Sequence, residues 1–94
     1  IWGANVPTTI KINQSWDNLI YEGGGATLFV FPRSLTAGIN TIANFNPNNG
    51  DRLNFEYQAY TTQSTANGMQ INLSGGASVL LLGVTTFSSS WIQN

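Results

Sequence analysis

Apolar residues along this chain come in short runs separated by Gly, Asn and Ser, a pattern typical of β-strands rather than helices. The clearest alternation lies at 52–60, where apolar and polar side chains exchange at every residue. Such alternation predicts a strand with one buried and one solvated face. The same reasoning predicts eight strands, at Thr9–Asn13, Asn18–Glu22, Ala26–Phe31, Asn40–Asn44, Arg52–Tyr60, Met69–Leu73, Ser78–Val84 and Phe87–Ile92.

Turn-forming residues mark where these strands end. Asn67-Gly68 is a strong hairpin signal, and Ser74–Gly76 is expected to join strands 69–73 and 78–84 in a second hairpin. The wholly apolar run Val79–Leu82 predicts a central strand buried on both faces, with docking of a partner as the alternative. We expect the core to contain Phe31, Phe45, Leu53, Phe55, Ile71, Leu80 and Leu82.

A weak nine-residue repeat runs through residues 8–34. Aligning segments 8–16, 17–25 and 26–34 superposes three columns: Thr9, Asn18 and Thr27; Ile10, Leu19 and Leu28; Ile12, Tyr21 and Val30. A nine-residue period is typical of a β-roll, in which short strands and turns stack into parallel sheets; the alternative is chance spacing of β-strands. We predict one all-β domain over residues 1–94, with a short degenerate parallel β-roll at 8–34 and an antiparallel sheet or small sandwich at 39–94.

Composition limits the chemistry that this fold can perform. The chain has no Cys and no His, so the nucleophile–base pairs that need them cannot form, and the commonest general base near neutral pH is missing. Asp51 and Glu56 cannot act as paired carboxylates on one strand, because five residues place them on opposite faces. Asp51 is expected instead to cap a turn or to pair with Arg33 or Arg52. We expect no catalytic residues and no enzyme activity, and a hydrolase is the least favoured alternative.

Charge and hydropathy narrow the range of partners. Only 7% of the residues are charged, against about 25% in an ordinary domain, and the net charge is −1 without a basic cluster. The phosphate contacts of a nucleic-acid-binding protein are therefore not expected. No apolar run approaches the ~20 residues of a membrane span.

An uncharged polar surface is typical of β-rich secreted and cell-surface proteins, so we expect an extracellular location. The start Ile1-Trp2-Gly3 has no initiator Met or signal-peptide shape, so we expect further chain upstream.

Several motifs, in order along the chain, resemble the C-terminal region of RTX proteins, the hemolysin-type calcium-binding family. Glu22–Phe31 is similar to the family's last nonapeptide, G-G-x-G-x-D-x-(apolar)-x, running into TFVF. Asn40–Phe45 resembles DTIxDF, Asn49–Phe55 resembles GxDKIDL, and Gly83–Thr85 resembles the GVT of the family's ending. The similarity covers roughly residues 8–94 and is greatest to the C-terminal domain of serralysin-type metalloproteases and other type I secretion substrates.

This resemblance implies a non-catalytic accessory domain of a secreted bacterial protein. Such a domain assists export by the type I secretion machinery and then folds outside the cell, capping an upstream domain of the same polypeptide. The family's usual acidic and aliphatic export tail is replaced here by Ser88–Asn94.

The calcium ligands of the family are largely replaced. Thr9, Asn18 and Thr27 stand where the family has a ligating Asp. Since calcium prefers several oxygen ligands that include carboxylates, we expect coils that are largely free of calcium. At most one weak calcium site is expected, at Asp17 and Glu22, and no other cofactor.

A second class of function stays open: a carbohydrate-binding, adhesin or surface-layer module. Aromatic rings stack on sugars, and Trp16 and Tyr60 lie in polar contexts that predict exposed rings. Against this, the aromatic residues of small β domains usually build the core. Edge strands that pair between copies would give self-association.

Overall fold

The computed structural model describes residues 8–21 and 24–93. The predicted all-β class is confirmed. Single turns of 3-10 helix lie at Pro47–Asn49 and Ser89–Trp91. The strands are β1 (Thr8–Lys11), β2 (Asn18–Tyr21), β3 (Thr27–Val30), β4 (Ile39–Ala43), β5 (Arg52–Asn54), β6 (Tyr60–Thr65), β7 (Gly68–Leu73) and β8 (Ser78–Leu82).

Strands β1 to β5 alternate between two sheets, which is the arrangement of a parallel β-roll. One sheet has the order β1-β3-β5 and is entirely parallel. The other has the order β2-β4-β8-β7-β6, in which β2, β4 and β8 are parallel and β8, β7 and β6 are antiparallel. The roll is longer than residues 8–34, because β4 and β5 also pair in parallel. The prediction of an antiparallel region throughout 39–94 is therefore wrong for these two strands.

The repeat observed in the first coil of the roll begins one residue earlier than the predicted nine-residue repeat. Thr8 lies opposite Thr27 and Ile10 opposite Phe29, whereas the nine-residue alignment superposes Thr9 on Thr27. The first repeat is one residue longer than nine, so the alignment slips by one position. At the start of each of the strands β1 to β5, within one residue of its first position, lies a set of three residues that we call the roll triplet. Its first residue is polar and points inward, its second points outward, and its third is apolar and points inward. The five roll triplets are Thr8-Thr9-Ile10, Asn18-Leu19-Ile20, Thr27-Leu28-Phe29, Asn40-Thr41-Ile42 and Asp51-Arg52-Leu53.

The core lies between the two sheets and is lined by aliphatic and phenylalanine side chains. Leu80 and Leu82 are wrongly predicted as core residues, because the inward side chains of β8 are Val79 and Leu81, both 0% exposed. Leu82 is 45% exposed, so β8 is central in its sheet but buried on one face only. The predicted core residues that are buried are Phe31, Phe45, Leu53, Phe55 and Ile71.

The strand predicted at 52–60 is much shorter in the structure. β5 ends at Asn54, and the chain turns at Glu56 and Tyr57, whose φ angles are 51° and 64°. The Gln58 N–H donates to the Phe55 carbonyl at 3.0 Å and closes this left-handed turn. Tyr57 is consequently 75% exposed instead of facing the core.

The chain closes the roll at the end opposite β1. Strands β6 and β7 form a hairpin around Ala66-Asn67, and the hairpin predicted between 69–73 and 78–84 is observed as β7 and β8. The segment 87–92, predicted as a strand, contains a 3-10 turn and one residue in a bridge. Ile92 forms a parallel bridge to Leu53 of β5, and the Gln93 N–H donates to the Leu53 carbonyl at 2.7 Å.

Candidate functional site

A row of amide side chains links three strands of the five-stranded sheet. Asn18 lies in register with Asn40, and its Nδ2 donates to Oδ1 of Asn40 at 2.8 Å. Asn40, which is 0% exposed, donates from Nδ2 to the Ser78 carbonyl at 3.1 Å. Nδ2 of Asn18 also donates to the carbonyl of Trp16 at 3.0 Å. These neutral groups connect successive coils through hydrogen bonds that require no cation.

In the three-stranded sheet, a buried carboxylate occupies the first position of a roll triplet, as Asn18 and Asn40 do in the other sheet. Asp51 is 0% exposed. Its Oδ1 accepts the Thr27 N–H at 3.0 Å, and its Oδ2 accepts the Asn46 N–H at 2.9 Å. Asp51 therefore caps the turn before β5, one of its two predicted roles, and also fixes the start of β3. Both carboxylate oxygens thus hold backbone amides of the roll.

Of the two predicted calcium ligands, the structure describes only Asp17. Asp17 is exposed, and its Oδ1 accepts the Ile39 N–H at 2.8 Å. Glu22 lies outside the described residues. Within 8–21 and 24–93, no three His, Cys, Asp or Glu side chains come together as metal ligands. A weak calcium site at Asp17 and Glu22 stays a prediction.

The two predicted sugar-stacking rings lie far apart. Trp16 is 59% exposed and precedes β2. Tyr60 is half-buried, with its ring edge-on to Phe55 at 5.4 Å and to Phe87 at 5.7 Å between centroids, so the prediction of an exposed Tyr60 is wrong. Since β2 and β6 are opposite ends of a five-stranded sheet, four strand spacings put them about 19 Å apart. The rings do not form one platform.

The outer side of strands β2, β4 and β8 is apolar, and we call it the apolar outer face. Leu19 is 48% exposed, Ile39 43% and Leu82 45%, and Leu80 lies among them. A shallow groove of about 460 Å³ crosses this face. The apolar run Val79–Leu82 was the sequence feature that indicated this face, because its outward residues are Leu80 and Leu82. A role of this face in docking a partner stays a prediction.

Comparison of this chain with protein-family models, curated proteins and solved structures finds no match. The resemblance to RTX proteins therefore rests on the motifs quoted above and stays a prediction. In the part of the chain that the structure describes, no helix has the length and apolar character needed to cross a bilayer.

Proposed function

We propose that this chain is a non-catalytic C-terminal unit of a secreted bacterial protein. In this role it caps a β-roll that continues upstream in the same polypeptide, and it assists export by the type I secretion machinery. The observation that carries the proposal is the polarity of the roll. Each sheet has a parallel strand at one edge, β1 or β2, whereas the other edge is β5 covered by Ile92 in one sheet and the antiparallel strand β6 in the other.

The parallel stacking of coils ends at β5 in one sheet and at β8 in the other. Ile92 and Gln93 occupy the outer edge of β5 through the bridge and hydrogen bond to Leu53. In the other sheet the β6–β7 hairpin lies beyond β8, and the pairing there is antiparallel instead of parallel. Terminal units that close one end are a general requirement of stacked repeat folds.

The end at β1 is suited to receive another coil. The N–H groups of Thr8 and Ile12 donate to the carbonyls of Ala26 and Val30, each at 2.9 Å. Since successive residues of a strand point their backbone groups to opposite sides, the N–H groups of Thr9 and Lys11 are directed away from β3. Among the described residues no strand pairs with that edge, which an upstream parallel strand would fill.

The interior of the roll is consistent with folding outside the cell without a cation. The rows at Asn18, Asn40 and Asp51 hold neighbouring coils by hydrogen bonds within the chain. In the RTX resemblance calcium completes folding after export. Here the hydrogen-bonded rows and the core would supply that stabilisation.

The proposal is tested by fusing residues 1–94 to the C-terminus of an inert passenger in a bacterium with an active type I exporter. Passenger in the medium is compared with a strain that lacks the exporter, and with a matched fusion that carries the chain at its N-terminus. Secretion that requires both the exporter and the C-terminal position supports the proposal. A soluble, folded fusion that stays in the cell contradicts it.

The second candidate function, a carbohydrate-binding, adhesin or surface-layer module, is favoured by the exposure of Trp16. An indole that is 59% exposed, in a chain where most rings pack together, offers an apolar surface for a sugar ring. Glycan binding that is lost in Trp16→Ala, with the urea midpoint unchanged, would support it. Equal binding by the variant and the parent chain would contradict it.

A further inference from the structure

Strand β6 is an edge strand without the usual protection against pairing. It runs from Tyr60 to Thr65, and the four side chains between these residues are all exposed. Natural edge strands carry Lys, Pro or bulges, or they are covered by other segments. β5, for example, is covered by Ile92. β6 has only Thr, Gln and Ser between its ends.

The outward backbone groups of β6 follow from its pairing with β7. The Ser74 N–H donates to the Ala59 carbonyl at 2.8 Å, which makes these two residues a hydrogen-bonded pair. Hydrogen-bonded and non-hydrogen-bonded pairs alternate along antiparallel strands. The backbone groups of Tyr60, Thr62 and Ser64 therefore point away from β7. The described part of the chain places no strand against them.

We propose that β6 pairs antiparallel with β6 of a second copy of this chain, with Thr62 opposite Thr62 of that copy. In this register Tyr60 faces Ser64 across the two-fold axis. All three outward residues of each strand then exchange both backbone hydrogen bonds, which gives six in total. A register shifted by one pair leaves some of these groups without a partner. The product is a continuous sheet through two copies with a closed two-fold interface.

A second copy fits this edge because the surface is complementary to itself. Residues 57–94 contain no Asp, Glu, Lys or Arg side chain, so two β6 strands meet without repulsion between like charges. A cross-strand pair of Thr with Thr stabilises an antiparallel sheet, and this register places Thr62 directly opposite Thr62 of the second copy. This inference is independent of the proposed capping function, since it concerns the opposite end of the five-stranded sheet from β2.

The test measures the mass of the chain in solution by sedimentation over a wide range of protein concentration. The unmodified chain is expected to approach twice the 10.1 kDa of one chain. Thr62→Lys places two ammonium groups on directly opposed residues, and it is expected to weaken association about tenfold or more. Thr85→Lys adds the same charge at an exposed position outside β6 and should leave association unchanged.

Single-cysteine variants test the register, because the chain has no Cys of its own. Thr62→Cys is expected to form a disulfide-linked dimer on mild oxidation, since directly opposed residues lie about 5.5 Å apart between Cα atoms. Ser64→Cys is the matched control. Its two copies lie four residues apart along the strands, about 13 Å, which is too far for a disulfide. A chain that stays monomeric at all concentrations, or equal cross-linking of the two variants, overturns the proposal.

Discussion

Replacing Asp51 by Ala should be one of the most damaging single changes outside the apolar core. Its side chain is 0% exposed and accepts the N–H groups of Thr27 and Asn46 at 3.0 and 2.9 Å. Alanine leaves both amides without their acceptor at the place where β3 begins and the turn before β5 closes. The substitution therefore disturbs two coils of the roll together.

The magnitude follows from these two bonds. A hydrogen bond to a charged group contributes about 1.5–3 kcal/mol, so losing both costs about 3–6 kcal/mol. A 94-residue domain has a free energy of unfolding of about 5–14 kcal/mol in total. With a loss of about 4 kcal/mol and a urea m-value of about 2 kcal/mol/M, the midpoint of unfolding falls by about 2 M.

The assay is urea unfolding followed by tryptophan fluorescence and far-ultraviolet circular dichroism. Asp17→Ala is the matched control, because that carboxylate is exposed and accepts one amide, from Ile39. Water replaces it there, so a much smaller shift is expected. Asp51→Asn should fall between the two, since one acceptor oxygen survives. Equal shifts for Asp51→Ala and Asp17→Ala would refute the reasoning.

Three further predictions concern packing, backbone and metal. Leu81→Ala should cost about 2–5 kcal/mol of unfolding free energy, whereas Leu82→Ala, at a position 45% exposed, should cost much less in the same assay; equal losses would contradict the inward phase of β8. Gly38→Ala should destabilise by about 1–3 kcal/mol, because Gly38 has φ +98° and a Cβ would lie 2.4 Å from the carbonyl oxygen of Trp16; an unchanged midpoint would contradict this close approach. The midpoint should be equal in calcium and in chelator, and a rise in calcium that Asp17→Ala abolishes would instead reveal a calcium site.

Local signals in the sequence predict much of this fold. Asn67-Gly68 predicts a turn at this point of the chain, where Gly68 has φ +148° and an added Cβ would meet the Leu81 carbonyl. Strand β6, which precedes this turn, is not among the predicted strands. The roll follows from the nine-residue spacing. These features depend on neighbouring residues, so they can be predicted without knowledge of the tertiary contacts.

The phase of the strands is harder to predict, because a shift of one residue exchanges the buried and exposed faces. The run Val79–Leu82 is apolar at every position and contains no information about which face is buried. In the first coil, one extra residue moves the inward polar position from Thr9 to Thr8.

The turn at Glu56 and Tyr57 depends on side-chain hydrogen bonds, one of them from the distant Arg33. Oδ1 of Asn54 accepts the Glu56 N–H at 2.8 Å, and Nε of Arg33 donates to the Glu56 carbonyl at 2.6 Å. Nε2 of Gln58 donates to the Phe55 carbonyl at 3.0 Å. These contacts hold two residues other than Gly in a left-handed conformation that sequence patterns disfavour. The candidate site could be predicted only in part. The polar residues of the roll triplets are visible in the sequence, but the residues that they hydrogen-bond lie 22 and 24 positions away for Asn18 and Asp51.

Inserting a second copy of residues 8–26 before Thr8 shows whether the roll accepts further coils at β1. This segment is one full turn, because Thr8 lies opposite Thr27. We expect one cooperative unfolding transition with a urea m-value larger by about a fifth, in proportion to the added residues. The same residues in scrambled order serve as the control. An insert that leaves the m-value unchanged and is removed by protease would mean that the β1 edge does not accept a further coil.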